Sequence, residues 1–393
     1  MTLKKILLVS DYATPTGGAE LMMLALRNGL KQRGYEVRFL ASSVENNGLK
    51  PLSDEQCLGT DSSFRTLLQS ANPWAYQKLK QILAEFQPDI VHVRLFLTQL
   101  SPLILPLLQD IPSLYHVAWY RPICPLGTKL LPDGKVCSYS VGKACYQQGC
   151  LPIYDWFPLM IQMKLWHRWR NAFNLVVANS YAVKEKLIEQ GIAPVEVVWN
   201  GIPTSPARPP LHAPPTVAFA GRLVWTKGVD ILIKAFAQVR AKISTAQLLI
   251  AGKGDAETEI TNLINQLELQ NSVILLGHLP RSVLEEKLAQ AWVQVIPSRW
   301  AEPFGIVAIE AMMRGTAVIA TDIGGLPEIV HHQQTGLLIP RENIEALATS
   351  LEYLLQNRDL AEQMGQKGRE IALAHFTDNH FIDQFLDLYQ KIF

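Results

Sequence analysis

The sequence lacks several features that mark whole classes of protein. Its formal net charge is only +1 over 393 residues, so the charge balance gives no reason to expect nucleic acid as a partner. A long apolar run is also missing. Residues 6–9 are followed at once by polar residues, and residues 100–108 are interrupted by Pro102 and Pro106. A signal peptide or a membrane span would need a longer apolar segment, so we expect a cytoplasmic protein.

The chain has the length of two domains of about 200 residues each. Short apolar runs alternate with amphipathic helical patterns, which is typical of doubly wound α/β units. The runs predict strands at residues 4–10, 36–41, 89–95, 113–119, 175–178, 217–220, 247–251, 273–276, 293–296, 316–320 and 336–339. Six prolines between Pro203 and Pro215 are typical of a stiff connector. We therefore predict domains 1–203 and 204–377.

The most informative segment is 298–328, in which Glu302 and Glu310 flank a Pro-Phe-Gly turn that opens a helix. Pro303 suits the first helical position and Gly315 the end of the helix. Helical rise would separate the two carboxylates by about 12 Å along the axis. Free N–H groups at a helix start attract phosphate, and here they belong to Phe304, Gly305, Ile306 and Val307. A ligand with hydroxyl-bearing groups at both ends and phosphates between them, such as a nucleotide sugar, would match all of these features.

The Glu302-x7-Glu310 spacing around Pro-Phe-Gly resembles the family-4 retaining glycosyltransferases. Other motifs of that family occur in order: Gly17-Gly18-Ala19-Glu20, His116, Asn200-Gly201-Ile202, Gly221-Arg222-Leu223 with Lys227-Gly228, and Gly324-Gly325-Leu326-Pro327-Glu328. The resemblance implies the GT-B fold, in which two Rossmann-like domains face each other across a cleft that holds the active site. It also implies that a C-terminal helix, residues 378–393, packs back on the first domain.

Arg222 and Lys227 follow the first strand of the second domain, at the sheet edge where open parallel sheets bind ligands. Cleavage of a sugar–phosphate bond develops negative charge on the leaving diphosphate, which two cations at that point would stabilise. The chain has no Asp-x-Asp, the usual sign of a magnesium-dependent transferase. We therefore expect the two cations to replace a metal ion, with no cofactor. The alternative interpretation is a pair of solvated surface charges.

The resemblance implies roles for further residues. Glu302 would hold hydroxyls of the transferred sugar and face the reacting carbon, and Glu310 would accept hydrogen bonds from the ribose. His116 would bind a hydroxyl of the donor sugar, although a lone histidine on an apolar strand is more often a core residue. The remaining donor-binding predictions are Gly17 and Gly18 beside a phosphate, Asn200 in the cleft, and Gly277 and Leu279 against the nucleobase.

Four of the five cysteines, Cys124, Cys137, Cys145 and Cys150, occur within 27 residues of an irregular segment. Four thiolates could hold a structural Zn²⁺ ion and stabilise a loop that has no core of its own. The spacing is not the tightly paired Cys-x2-Cys form, so free or redox-active thiols are the alternative.

An aromatic and basic stretch follows the cysteines and contains Trp156, Phe157, Trp166 and Trp169 with Lys164, His167, Arg168 and Arg170. Residues 1–200 also carry 20 Lys and Arg against 15 Asp and Glu. Both features suit peripheral contact with a membrane surface near a lipid-linked acceptor. The alternative is a helix packed across the first domain.

The sequence thus predicts a retaining, metal-independent glycosyltransferase that moves a hexose from a UDP- or GDP-sugar to a hydroxyl acceptor. We expect a carbohydrate or lipid-linked acceptor, a role in polysaccharide or glycolipid biosynthesis, and a location in the cytoplasm or at the inner face of the membrane. The alternatives are a GT-B epimerase or phosphorylase and a catalytically silent nucleotide-sugar-binding subunit. A silent subunit would usually lose a member of the set Arg222, Lys227, Glu302 and Glu310, which is complete here.

Overall fold

The structure, a computed structural model, describes residues 3–15, 17–45, 48–62 and 65–393. The chain divides into two compact units: Met1–Gly201 with Asp378–Phe393, and Ile202–Thr377. The proline-rich segment 203–215 belongs to the second unit, where the side chain of Leu211 is buried in the core. In the same segment, Arg208 Nη2 lies 2.8 Å from the Glu362 carboxylate. This segment is therefore packed against its own unit.

A parallel sheet forms the centre of the first unit. Its strands are β1 (Lys5–Val9), β2 (Glu36–Ser42), β3 (Glu55–Cys57), β4 (Ile90–Val93), β5 (Ser113–Val117), β6 (Leu175–Ala178) and β7 (Val195–Val197). They are arranged in the order β3-β2-β1-β4-β5-β6-β7. Strands β4, β5 and β6 are buried along their whole length, as expected for parallel strands covered on both faces. The sequence did not predict β3 and β7, because three residues are too few to show a period.

A second parallel sheet forms the centre of the second unit. Its strands are β8 (Thr216–Ala220), β9 (Gln247–Ala251), β10 (Val273–Gly277), β11 (Val293–Ile296), β12 (Ala317–Thr321) and β13 (Gly336–Ile339). Their order is β10-β9-β8-β11-β12-β13. The sequence predicted each of them to within one residue at either end, so the doubly wound α/β prediction is confirmed.

Helices connect the strands of both sheets. They are α1 (Gly18–Gln32), α2 (Arg65–Ser70), α3 (Pro73–Phe86), α4 (Ala144–Gln147), α5 (Ile153–Trp169), α6 (Tyr181–Glu189), α7 (Val229–Lys242), α8 (Glu257–Gln266), α9 (Arg281–Leu288), α10 (Ile306–Arg314), α11 (Leu326–Ile329), α12 (Ile344–Gln356), α13 (Arg358–His375) and α14 (Asp378–Ile392). Helix α14 belongs to the first unit, where its buried side chains include Phe381, Phe385 and Tyr389. Within the described ranges, no helix has both the length and the apolarity needed to cross a bilayer.

The core of the second unit provides a rigid base for the loops at its sheet edge. Helices α7 and α12 pack together on the sheet, and Leu232, Phe236 and Leu351 are completely buried between them and the strands. Truncation of one such side chain to alanine typically costs about 2–5 kcal/mol. The loops that follow these strands therefore begin at well-fixed positions.

Candidate functional site

The strand order of the second unit indicates where a ligand would bind. From β8 the chain adds β9 and β10 on one side, and then returns to place β11 on the other side of β8. Open parallel sheets bind ligands at the carboxyl ends of the two strands that flank such a reversal. The loop after β8 carries Arg222 and Lys227, and the loop after β11 carries Glu302. The fold thus brings together Lys227 and Glu302, which are 75 positions apart in the sequence.

Lys227 and Glu302 are hydrogen-bonded to each other across these two loops. Lys227 Nζ lies 2.5 Å from Glu302 Oε1, and Ser298 Oγ donates to the same oxygen at 2.6 Å. Glu302 is only 6% exposed, so its carboxylate needs such donors to offset desolvation. An ammonium group has three N–H donors, and Lys227 therefore keeps two for another ligand.

Arg222 and a second lysine lie at the same sheet edge. Arg222 is exposed in the loop after β8. The next residue, Leu223, donates its N–H to the carbonyl of Lys253 at 2.9 Å, which joins this loop to the loop after β9. Lys253 is exposed, and its Cε would lie 3.8 Å from a Cβ added to Gly277. Lys253 was not predicted from the sequence, because its only signal is its place between two glycines directly after a buried strand.

Arg299 holds the loops after β8 and β11 together. Its guanidinium donates to both carboxylate oxygens of Asp230 at 2.7 Å, to Glu342 at 3.0 Å and to the carbonyl of Trp225 at 2.8 Å. Its backbone N–H donates to the carbonyl of Thr226 at 2.8 Å. Burial alone would raise the pKa of Asp230, but the hydrogen bonds and charge of Arg299 lower it below its usual value. The pair is therefore ionised at neutral pH.

The helix α10 begins later than predicted, so the assignment of Pro303 to its first position is wrong. The helix starts at Ile306, and Gly305 caps it with a φ of +113°. That value lies in the left-handed region, which suits glycine but not a residue inside a right-handed helix. The helix can therefore start only after Gly305, and Pro303 lies in the turn before it.

The later start changes which groups are available near the two glutamates. The free N–H groups of the first helical turn belong to Ile306 and Val307, whereas Phe304 lies in the preceding turn with its side chain buried. Glu302 also precedes the helix. Helical rise, from which the separation of about 12 Å was predicted, therefore does not apply between Glu302 and the start of α10.

The glycine pair Gly324-Gly325 supports the backbone of Glu302. The N–H of Gly325 donates to the Glu302 carbonyl at 2.8 Å. Gly324 has a φ of +64°, and a Cβ on it would lie only 2.4 Å from the Glu302 carbonyl oxygen. Any larger residue at position 324 would displace the strand-to-helix turn that carries Glu302.

Glu310 lies beside the loop that follows β10. Its side chain is 22% exposed, and its Oε1 lies 3.7 Å from Nη2 of Arg281, the first residue of α9. Burial raises the pKa of Glu310, and the charge of Arg281 opposes this effect. Gly277 ends β10, and its carbonyl accepts a hydrogen bond from the N–H of Gly252 at 2.8 Å. Leu279, two positions further along the chain, is half-buried. Contacts of these residues with a nucleoside stay predictions.

In the first unit, two of the predicted residues, His116 and Asn200, both contact Arg94, which was not predicted from the sequence. Arg94 Nη1 lies 2.9 Å from Nδ1 and 3.1 Å from Nε2 of His116, and Nη2 donates to Asn200 Oδ1 at 3.2 Å. His92 Nε2 lies 3.3 Å from His116 Nδ1. Arg94 is almost completely buried at the carboxyl end of β4. A single charged residue after a strand forms no motif, so Arg94 could not be predicted as a site residue from the sequence.

His116 is completely buried. Burial lowers its pKa well below the usual value and Arg94 lowers it further, so the imidazole is neutral at physiological pH. The ring of Phe385 lies 4.8 Å from it, centroid to centroid. These are the surroundings of a core histidine, and contact with a donor sugar stays a prediction.

Gly17 and Gly18 lie at the start of α1. The side chain of Glu20 folds back over Gly17, so that a Cβ there would lie 2.2 Å from Glu20 Oε2. Burial raises the pKa of Glu20, while its own backbone N–H and the charge of Arg94 oppose the rise. Approach of a phosphate to these two glycines stays a prediction.

The four clustered cysteines lie together in the first unit. Cys124, Cys137, Cys145 and Cys150 all line one small cavity, and each is a free thiol. Among the residues that the structure describes, no group of three or more His, Cys, Asp or Glu side chains is arranged to hold a metal ion. The fold therefore places the four thiols around one cavity, but it does not arrange them as the ligands of a metal ion.

The aromatic and basic stretch is divided between two faces of α5. Trp166 is completely buried and donates its indole N–H to the carbonyl of Pro122 at 3.0 Å. Trp156 donates in the same way to Gly142 at 2.9 Å. These two tryptophans help to pack the first unit and do not belong to an aromatic surface, and Trp169 is half-buried. The exposed stripe of α5 consists instead of Tyr154, Phe157, Ile161, Lys164 and Arg168.

Sequence comparisons agree across both units. A family model described as "Glycosyltransferase Family 4" matches residues 16–206, and one described as "Glycosyl transferases group 1" matches residues 203–371. The chain is 34% identical over 223 residues to alpha-maltose-1-phosphate synthase of Mycolicibacterium smegmatis. The aligned region covers 50% of this chain and 57% of that protein. The chain spans about half the length of the curated relatives that it matches.

Solved structures match over the whole chain. Sucrose-phosphate synthase from Thermosynechococcus elongatus has a TM-score of 0.75 at 22% identity, covering 99% of both chains. Anabaena HepE, in complex with UDP-glucose, has a TM-score of 0.70 at 19% identity, covering 98% of this chain and 99% of that one. At such identities the likeness establishes the fold alone, which is GT-B.

Proposed function

Since the chain belongs to glycosyltransferase family 4, we propose that it is a retaining, metal-independent enzyme that transfers a hexose from a UDP- or GDP-sugar to a hydroxyl. The observation that carries this proposal is the Lys227–Glu302 hydrogen bond at the carboxyl ends of β8 and β11. It places a cation and a carboxylate together at the point where an open parallel sheet binds its ligand.

In this proposal Arg222 and Lys227 stabilise the diphosphate as it leaves. The bond between the anomeric carbon and the phosphate oxygen breaks, and negative charge develops on the diphosphate. Arg222 can bind phosphate through two parallel N–H bonds, and Lys227 has two N–H donors beyond the one that it gives to Glu302. The free N–H groups of Ile306 and Val307 add favourable dipoles at the start of α10. Together these groups take the place of a metal ion.

The two glutamates would bind opposite ends of the donor. Lys227 and Ser298 both donate to Oε1 of Glu302, so Oε2 can accept from a hydroxyl of the transferred sugar. Glu310 would accept from the ribose hydroxyls. In the retaining course, the acceptor hydroxyl attacks from the face that the diphosphate leaves, and the diphosphate takes its proton. Anabaena HepE was solved with UDP-glucose, which makes this compound the first donor to test.

The experiment for this proposal measures nucleotide release by the purified full chain from UDP- and GDP-hexoses, with and without EDTA. We expect release from one donor class at a rate that EDTA leaves unchanged, and a product that keeps the anomeric configuration of the donor. Nucleotide-sugar binding without release would identify a silent binding subunit. Formation of an epimer, or a requirement for inorganic phosphate, would identify an epimerase or a phosphorylase. Loss of turnover in EDTA would contradict the metal-independent mechanism.

We further propose that the acceptor is a carbohydrate or lipid-linked precursor in polysaccharide or glycolipid biosynthesis, reached from the cytoplasmic face of a membrane. Support comes from the exposed stripe of α5. Tyr154, Phe157 and Ile161 occupy its first half, and Lys164 and Arg168 continue the same stripe. Aromatic side chains can enter the lipid interface while the basic residues contact anionic headgroups. The excess of Lys and Arg in residues 1–200, 20 against 15 Asp and Glu, adds to that attraction.

Substitution of both Phe157 and Ile161 by aspartate is expected to reduce binding to anionic vesicles by about tenfold or more, since each buried apolar side chain contributes roughly 1.5–3 kcal/mol. Flotation at low salt measures the bound fraction. The matched control is Tyr353→Asp, since Tyr353 is 50% exposed on α12 of the second unit. Absence of wild-type binding at low salt, or an equal loss in the control, would remove the membrane contact from the proposal.

A further inference from the structure

Residues 124–150 form a segment with little regular structure and almost no core. Within it the structure shows an isolated bridge between Leu130 and Val136 and the single-turn helix α4. From residue 131 to 150 every residue except Gly134 is exposed or only partly buried. Even the larger apolar side chains are about half exposed: Val136, Tyr139 and Tyr146. A segment of this kind buries too little apolar surface to offset the entropy of ordering its backbone, and needs another source of stability.

The cysteines are the side chains that converge in this segment. All four line the same cavity, and most of the other lining residues are apolar, among them Leu130 and Leu151. Local hydrogen bonds fix the backbone of three of them, Cys124, Cys137 and Cys145. The N–H of Gly127 donates to the Cys124 carbonyl at 2.8 Å, and that of Leu151 donates to the Cys145 carbonyl at 3.0 Å. The N–H of Cys137 donates to the Lys129 carbonyl at 2.8 Å.

We propose that Cys124, Cys137, Cys145 and Cys150 bind one Zn²⁺ ion as a structural tetrathiolate site. Four cysteine thiolates in a tetrahedron, with Zn–S bonds of about 2.3 Å, are a ligand set that zinc prefers in structural sites. Binding replaces four S–H bonds by four Zn–S bonds and releases four protons, so it needs neither an oxidant nor a reductant. Because the thiols surround the cavity without forming a ligand shell, binding contracts the cavity through rotation of the cysteine side chains while the turns hold the backbone.

The ion would also fix the segment against the beginning of α5. That helix starts at Ile153, shortly after the last cysteine of the cluster. The Trp156 indole already donates to the Gly142 carbonyl at 2.9 Å, and its ring lies 6.3 Å from the ring of Tyr146. Metal binding at the cysteines therefore stabilises the loop that leads into the exposed stripe of α5. This inference is independent of the proposed transferase activity.

The test measures zinc in the full chain after purification under reducing conditions and reconstitution with the metal. Wild type is compared with the double variant Cys137→Ser, Cys150→Ser. The matched control is Cys57→Ala, because Cys57 is buried in β3, outside the cluster. We expect about one zinc per chain in wild type and control, and less than about 0.2 in the double variant. Cobalt in place of zinc should give thiolate-to-metal charge-transfer bands and the d–d bands of a tetrahedral site.

A second measurement uses the wild-type chain alone, in case the double variant does not fold. With zinc bound, the four thiols of the cluster should react slowly with a thiol reagent, and a protease should cut slowly within 124–150. A chelator should increase both rates. The proposal is overturned by less than about 0.2 zinc per reconstituted wild-type chain, by an equal zinc content in the double variant, or by peptide mapping that finds disulfides among the four cysteines in the reduced preparation.

Discussion

The turnover number of the Lys227→Ala variant is expected to fall by about 10²-fold or more, and that of Arg222→Ala to fall similarly, the scale of losing one preorganised donor to a developing negative charge. Both residues follow β8, and Lys227 Nζ lies 2.5 Å from Glu302 Oε1. Initial rates of nucleotide release at saturating donor measure the effect. The control is Lys367→Ala, which removes an exposed cation from α13 of the same unit.

The Lys227→Ala and Arg222→Ala variants differ in their expected effect on the stability of the protein. Lys227→Ala leaves the carboxylate of Glu302, which is 6% exposed, without its cation, so part of its effect will appear as lost stability. Arg222 is exposed, and its removal should change the free energy of unfolding by less than about 0.5 kcal/mol. Arg222→Ala is therefore the cleaner test, and a wild-type rate in that variant would contradict the assignment.

Glu310→Ala should act on binding more than on the chemical step. If its carboxylate holds the ribose, the variant should bind the nucleotide product about tenfold or more weakly, since hydrogen bonds to charged groups contribute roughly 1.5–3 kcal/mol. Titration of UDP or GDP measures this. An affinity equal to that of wild type would exclude the ribose role and would leave the roles of Arg222 and Lys227 untouched.

The fold was predictable because its signals are local. Each strand of the second sheet is a short apolar run between polar segments, and the runs alone located all six of its strands. The end of α10 at Gly315, with a φ of +84°, follows from the residue type. The start of α10 was mispredicted because two local signals compete there. Proline favours the first helical position, but Gly305 adopts a backbone conformation that a helix cannot include.

The partners within the site were not predictable, because they are set by tertiary contacts. The sequence assigned Lys227 to a phosphate and Glu302 to a sugar, and gave no sign that the two side chains bind each other. Arg94 binds His116 on β5 and Asn200 in the loop after β7, which lie 22 and 106 positions away from it in the sequence. The side chains of Trp156 and Trp166 donate hydrogen bonds within the first unit, although aromatic residues beside basic ones had suggested a membrane-binding surface.

Arg299 was missed for the same reason, since Asp230 and Glu342 lie 69 and 43 residues away from it. It touches neither donor nor acceptor in the proposed mechanism and acts by positioning the loops of Lys227 and Glu302. Arg299→Ala should therefore lower the turnover number by about 10²-fold, as expected when catalytic groups move by about 1 Å. It should also cost about 1–3 kcal/mol of stability, because water can replace part of the lost bonding at carboxylates that are 32% and 49% exposed.

A comparison with Arg208→Ala distinguishes an effect of Arg299 on the position of the catalytic loops from an effect on the stability of the fold. Arg208 is 3% exposed and pairs with Glu362 at 2.8 Å in the same unit, so its loss also removes a buried ion pair. Its side chain donates to Glu362, to the Gly315 carbonyl at the end of α10 and to the Pro209 carbonyl, away from the loops of Lys227 and Glu302. Both variants should unfold at lower temperature, but only Arg299→Ala should lose turnover at temperatures where each is folded. Arg299→Lys, which keeps the charge without the planar fork, should recover part of that loss. If both alanine variants keep the wild-type turnover number, Arg299 contributes to stability alone.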